Sequence, residues 1–327
     1  MRGGRSNLAE NNLSDTSLME IFLGKPGFLL ARIDQIATAL FNEADCEATL
    51  PQSEFLLLID RLGPSPQVTL GRAAGVDKST TAYICDNLVA RGWVERRPCR
   101  EDRRRALITF TDAGLAQLPS LRRAFLRLQH QLTAPLKQED AHVLVDLLHR
   151  VARHPTDAAP TWLPACDPQT GVLDLAPTFL MRRALQLYHA NFLSDAAAFN
   201  LTLRQFSLLF LLLHRPHLTQ TGFARLFGLD PSTCAVIMKG LARRKLIAGQ
   251  RSPEDGRATV YRLTDAGAAA LDGVKPLADK SQRVLTDCMS AERVEWLIGQ
   301  LRTLVHAHSD RLRYPGAIAL IPAHSAV

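Results

Sequence analysis

The chain has 327 residues, 46% of them apolar and 22% charged, with 39 Lys and Arg against 32 Asp and Glu for a formal net charge of +7. This is the make-up of a soluble globular protein with room for two ordinary domains, and no run of about 18 uncharged apolar residues offers a membrane span. Residues 1–14 lack the apolar core of a secretory signal, so the expected location is cytoplasmic. Cys46, Cys85, Cys99, Cys166, Cys234 and Cys288 are scattered without a C-x-x-C pair, which signals neither a zinc site nor a disulfide framework.

In chain order, Leu29, Ile33, Ile36 and Leu40 step at helical spacing and predict a first long helix. Pro51 suits the first turn of a second helix running to about Arg61. A short third helix over Thr69–Ala74 is ended by Gly75, and Asp77 is the expected N-cap of a fourth. Arg91-Gly92-Trp93-Val94 then leads into a strand, a hairpin crowded with Arg, and a strand over Leu107-Ile108-Thr109-Phe110. Thr111-Asp112-Ala113-Gly114 opens a new helix. One stripe of Leu115, Leu118, Phe125, Leu128 and Leu132, and another of Val143, Leu144, Leu147, Leu148 and Val151, predict two closing helices that need a partner surface.

The same order then recurs. Pro26-Gly27-Phe28-Leu29-Leu30 answers to Pro177-Thr178-Phe179-Leu180-Met181, and Leu50–Phe55 to Leu201–Phe206. Gly75-Val76-Asp77-Lys78-Ser79-Thr80 answers to Gly228-Leu229-Asp230-Pro231-Ser232-Thr233, the offset having grown by two residues in a loop. Thr202-Leu203-Arg204-Gln205 is a capping-box pattern, and Asp230 caps a helix with Pro231 at its first position. Leu271, Val274 and Leu285, then Val294, Leu297, Leu301 and Leu304, repeat the closing stripes. The expected organisation is an N-terminal arm over 1–25, a first domain over 26–153, a Pro-rich linker over 154–176, a second domain over 177–314 and a tail over 315–327. A helix-turn-helix followed by strand, basic hairpin and strand is a winged helix. The expected fold class is therefore mainly α with small β-wings, two winged helix-turn-helix domains forming an intramolecular pseudo-two-fold dimer.

With Asp102 and Arg104 leading to Thr111–Gly114, and Asp255 and Arg257 leading to Leu263-Thr264 and Gly267, the chain resembles the MarR family of bacterial transcriptional regulators over about 26–153 and 177–313. Phe110 stands where that family usually has Leu. Members are usually homodimers of one-copy chains, so this chain resembles a fused tandem. The Pro-x-Phe-Leu opening and the Leu-Thr-x-x-Gln-Phe helix start are similar to the branch that responds to aromatic acids. The resemblance implies a repressor of transcription, without cofactor or catalysis, that binds double-stranded DNA and is released by a small effector.

A helix-turn-helix sets its second helix in the major groove, first turn against the bases. The candidates are Lys78, Ser79, Thr80, Thr81 and Tyr83 in the first copy and Ser232, Thr233 and Lys239 in the second, with Ala235 and Val236 on the same helix. Arg97, Arg103, Arg104, Arg105, Arg251 and Arg257 are the wing candidates, suited to phosphates or a narrow minor groove. The resemblance makes Arg104 and Arg257 the tip residues, with Asp102 and Asp255 orienting them. The two readers differ, so the expected operator is an imperfect palindrome.

For an effector, Arg32, Arg183, Tyr188 and His189 on the first helices suit an aromatic carboxylate; solvated faces or interhelical ion pairs are the plainer alternative. Two other readings stay open, a redox-responsive regulator and a protein-interaction or architectural factor with a degenerate second reader. Pairing with a second chain is also left open. No Gly-rich phosphate loop, nucleophile elbow or metal-ligand set supports an enzyme or a metal site.

Overall fold

The computed structural model describes residues 13–44, 46–99, 106–153, 172–253, 256–316 and 318. The candidates Asp102, Arg103, Arg104, Arg105 and Asp255 lie outside the described residues.

Ahead of the first copy runs α1 (Asp15–Leu23). The first copy comprises α2 (Pro26–Asn42), α3 (Leu50–Leu62), β1 (Ser65–Pro66), α4 (Gln67–Ala74), α5 (Lys78–Ala90), β2 (Val94–Pro98), β3 (Ala106–Phe110), α6 (Asp112–Thr133) and α7 (Gln138–Arg153). The second repeats it with α8 (Pro177–Asp195), α9 (Leu203–His214), β4 (Leu218–Thr219), α10 (Gln220–Phe227), α11 (Pro231–Arg243), β5 (Ile247–Arg251), β6 (Thr259–Leu263), α12 (Asp265–Thr286) and α13 (Ala291–Ala307). Each wing gains a third, two-residue strand that the sequence did not announce, giving the antiparallel orders β1-β3-β2 and β4-β6-β5.

Local chemistry sets the element ends. Thr49 and Thr202 each close a capping box, with Gln52 and Gln205 respectively. Gly75 and Gly228 end α4 and α10 with φ of 70° and 66°, the left-handed conformation that glycine adopts without penalty. At the wing root, Thr111 accepts from the Gly114 amide and donates to the Gly92 carbonyl, and Thr264 does the same for Gly267 and Lys245. A β-carbon on Gly114 or Gly267 would lie 1.9 Å from the carbonyl oxygen of Trp93 or Leu246, so only glycine lets the helix start lie this close to the strand.

The described residues fall into two compact units that cut across the repeat. The larger holds Lys25–Asn191 and Ser281–Leu312. In it α2 packs on α6 and along α13, α3 packs on α6, and α13 packs on α7. Leu29, Ile33, Ile36, Phe125, Leu128, Leu144, Leu148, Leu301 and Leu304 form its core. Leu115 and Val143, expected in the closing stripes, are exposed instead; each lies to one side of the buried face of its helix.

The smaller unit holds the described part of Met1–Gly24, with Phe192–Lys280 and Arg313–Pro322. Here the expected arm is in part a helix. Ser14 caps α1, whose Leu18, Met19 and Leu23 are fully buried. Phe22 meets Phe210 of α9 and Phe227 of α10 edge-on, with ring centroids 5.6 and 5.1 Å away. Asp15 forms an ion pair with Arg215 at the end of α9. In the larger unit Asp174, just before α8, pairs with Arg61 near the end of α3 at 2.8 Å.

Candidate nucleic-acid interface

The first reading head is built from α4, α5 and the β2–β3 hairpin. Asp77 caps α5, accepting from the Ser79 and Thr80 amides at 2.9 and 3.0 Å and from both hydroxyls. These bonds, led by that of the Ser79 hydroxyl, hold its carboxyl well below the usual carboxylate range, so Asp77 is a fixed negative charge at the helix start. Lys78, Ser79 and Thr80 are exposed on that first turn, and Tyr83 follows one turn on at 70% exposure.

Thr81 does not share this surface, which corrects the sequence expectation. It is buried against Gly71, where a β-carbon would lie 2.4 Å from its hydroxyl, and that hydroxyl donates to the Asp77 carbonyl at 2.7 Å. Its role is to lock α5 onto α4. At the equivalent position the second head has Cys234, buried as well.

The second head repeats the cap. Asp230 accepts from the Ser232 amide at 2.8 Å, the Thr233 amide at 3.4 Å and the Ser232 hydroxyl. Ser232 and Lys239 are exposed, Thr233 is half-buried, and Val236 takes the place of Tyr83 at 73% exposure.

The wings differ in charge. In the first, Arg96 bonds Asp86 on α5 and Arg97 bonds Glu95 on its own strand, with Nε–Oε1 at 2.7 Å. These pairs are exposed and so contribute little to stability, leaving the guanidiniums at the surface. In the second, Gly249 and Gln250 replace Arg96 and Arg97, and Lys239 replaces Asp86. Arg251 ends β5 and Arg257 lies in the hairpin, both exposed.

Three of the four effector candidates are committed to packing, a second correction. Arg183 is 1% exposed, and its guanidinium donates to the carbonyls of Ala152, Arg72 and Ala73, each at 3.1 Å. It thereby satisfies the open carbonyl end of α4, and burial lowers its pKa to about 10. Tyr188 is buried over Gly27, and its hydroxyl accepts from Gln282 at 2.7 Å. Arg32 is buried, bonding Gln35 at 3.0 Å with its guanidinium 4.8 Å from the Phe28 ring centre. His189 is half-buried beside Tyr188.

The sequence reading passed over Arg182, next to Arg183. Arg182 bonds Asp34 of α2 and Glu54 of α3, each at 2.8 Å. Burial works against its charge, but the carboxylates of Glu54 and Asp34 outweigh it and hold its pKa above the usual value. The repeat held a signal for it: the first copy has Ala31 where the second has Arg182, and the capping boxes, which align Gln52 with Gln205, set Ser207 opposite Glu54 in place of the Gln205 that the sequence pairing gave.

Cys85 and Cys234 are buried, and burial pushes each thiol up to about 11. Among the described residues no group of three or more His, Cys, Asp or Glu side chains is placed to hold a metal ion, and no helix is long and apolar enough to cross a membrane.

The MarR family model matches residues 49–105 and 199–258, one stretch in each copy. The HTH-type transcriptional repressor NicR of Pseudomonas putida is 34% identical over 97 residues, 29% of this chain and 61% of the relative. The multiple antibiotic resistance protein MarR of Escherichia coli K12 is 30% identical over 128 residues, 38% of this chain and 89% of the relative. The chain thus spans less than two thirds of NicR, and most of MarR. Among solved structures, the transcriptional repressor CouR bound to a 23-mer DNA duplex matches at 29% identity with a TM-score of 0.40, over 43% of this chain and 99% of that one.

Proposed function

The chain belongs to the MarR family, and on that premise we propose that it is a sequence-specific double-stranded DNA-binding repressor whose two heads read the two halves of one operator. The observation that carries this reading is the matched pair of heads. Each presents an Asp-capped helix with an exposed Ser on its first turn, Ser79 or Ser232, and a wing bearing exposed Arg beside it. Hydroxyls, cations and helix-start amides on one surface suit a phosphate backbone and base edges, and no catalytic step is needed. NicR is likewise described as a repressor.

The pseudo-two-fold dimer is part of the proposal. Within the larger unit, α13 of the second copy runs along α2 of the first, and Arg182 and Arg183 of α8 bond α2, α3, α4 and α7 of the first copy. Such contacts support a family dimer built inside one chain, which leaves the heads free to differ. The operator is then an imperfect palindrome. Release by a small aromatic-acid-like effector is the second part of the reading and rests on the family resemblance. Given their packing, Arg183 and Tyr188 belong to the interior of the larger unit and are not assigned to the effector. Burial of Cys85 and Cys234 speaks against a redox trigger at those two thiols.

Selection of bound sequences from random duplex DNA tests the reading, with wild type, Arg104→Ala and Arg257→Ala run in parallel. Two unlike half-sites about one helical turn apart, each weakened by a different variant, are expected. A single half-site sensitive only to Arg104→Ala would make the second head a scaffold and end the two-reader mechanism.

A further inference from the structure

In the smaller unit the segment that follows α13 seats against the second reading head. Gly316 has φ +64°, and a β-carbon there would lie 2.7 Å from the Arg225 carbonyl oxygen and 2.9 Å from that of Leu226, so the tail backbone lies directly on the end of α10. Ile318 is 2% exposed. These anchors bring Arg313 and Tyr314 to the start of α11. The Tyr314 hydroxyl donates to Asp230 Oδ2 at 3.5 Å, and Arg313 Nη1 lies 3.7 Å from the same oxygen. The Arg313 guanidinium sits 5.5 Å from the Tyr314 ring centre, while its side chain stays 80% exposed.

The two heads differ at this spot in a way that gives the arrangement a use. The first head has a cation on its cap turn, Lys78. The repeat puts Pro231 at that position in the second head, so the sequence of α11 starts with a capping carboxylate and no neighbouring cation. A carboxylate at the edge of a major-groove reader faces the phosphate backbone and repels it. We propose that Arg313 supplies the missing cation, contacting a DNA backbone phosphate beside the second head in the place that Lys78 takes in the first. The exposed pair with Asp230 is loose, which leaves guanidinium N–H groups to donate to a phosphate while the positive charge offsets the cap. Tyr314 and Gly316 position it.

The inference rests on the DNA-binding reading above, and one experiment separates the two. Affinity for the selected operator is measured by fluorescence anisotropy from 0.05 to 0.3 M salt for wild type, Arg313→Ala, Arg313→Lys, and Arg313→Ala combined with Pro231→Lys. Losing one phosphate contact lowers the slope of log K against log salt by about 0.9, which weakens binding by about eightfold at 0.1 M salt. The loss should be the same on operator variants with altered bases, because a phosphate carries no sequence. Arg313→Lys should keep most of the slope, and Pro231→Lys should restore it to the Ala variant, which a general loss of fold would not allow. Wild type that binds no duplex overturns the parent reading, and this one with it. Wild type that binds while Arg313→Ala keeps its slope and affinity overturns this inference alone, as does a loss that Pro231→Lys fails to rescue or that depends on base sequence.

Discussion

Replacing Glu54 by Gln tests how the larger unit tolerates a buried acid. Glu54 is 2% exposed, its Oε2 takes the Arg182 bond at 2.8 Å, and its Oε1 has no hydrogen-bond partner among the described residues. Burial pushes its carboxyl from 4.5 up to about 7, against the pull of Arg182 and with a push from Asp34. A carboxyl whose folded pKa lies above its unfolded one holds its proton more tightly when folded. Its favourable contribution is therefore complete below about pH 4.5 and is lost as the pH rises through about 7. A rise of this size corresponds to roughly 3 kcal/mol at most. Gln keeps the shape and carries no charge. Urea unfolding followed by tryptophan fluorescence should find Glu54→Gln level with wild type at pH 5 and up to about 3 kcal/mol more stable at pH 8.5. Arg182→Ala should behave in the opposite sense, costing roughly 3–5 kcal/mol at pH 8.5, where it strands a buried carboxylate, and less at pH 5. The reasoning fails if Glu54→Gln is level at pH 5 and less stable than wild type at pH 8.5. That result would mean that Arg182 holds the carboxylate ionised and its pKa low.

Other expected outcomes follow from the same contacts. Arg183→Leu strips donors from three carbonyls, those of Ala152 and Ala73 buried, and should cost roughly 3 kcal/mol or more in urea unfolding; a titration with aromatic carboxylates should show no matching change in affinity, as a packing role requires. Gly114→Ala and Gly267→Ala each force a side chain into a carbonyl, and hydrogen exchange should show the corresponding wing root loosened, the first wing by one variant and the second by the other. Lys245 sits at φ 57° where the first copy has Gly92, so Lys245→Gly should raise stability by about 1 kcal/mol, read as a shift in the melting temperature. Lys78→Pro, Tyr83→Val and Asp86→Lys together give the first head the second head's reading positions; sequence selection should then return a more nearly perfect palindrome, and an unchanged asymmetric site would show that these positions do not read bases.

What the sequence made legible was what short-range chemistry decides. Gly75 and Gly228 had to end helices, Asp77 and Asp230 had to cap them, and Thr111–Gly114 had to recur as Thr264–Gly267, because each needs only its near neighbours. What stayed hidden depended on partners far along the chain. The apolar face of α1 gives no sign that Phe210 and Phe227 lie opposite it. Thr81 and Thr80 are adjacent hydroxyls, and only the closeness of Gly71 buries one of them. Arg183 reads as a ligand for a carboxylate until Arg72, Ala73 and Ala152 are seen to present carbonyls to it. The two-residue strands β1 and β4 exist only by pairing with β3 and β6.

Fusion changes what a substitution can do. In a homodimer of one-copy chains, a residue lost from one reading helix is lost from both, and any compensation must also appear twice. Here Pro231 removes a cation from the second cap alone, and the tail that carries Arg313 occurs once and seats on that head. The same holds for Arg96 with Asp86 against Gly249 with Lys239. In the first head a wing Arg neutralises an acid on the reading helix; in the second the acid has become a cation and its wing partner has gone. Each head balances its own charge by a different route. That is the pattern expected when the two halves of the site to be read are no longer required to be alike.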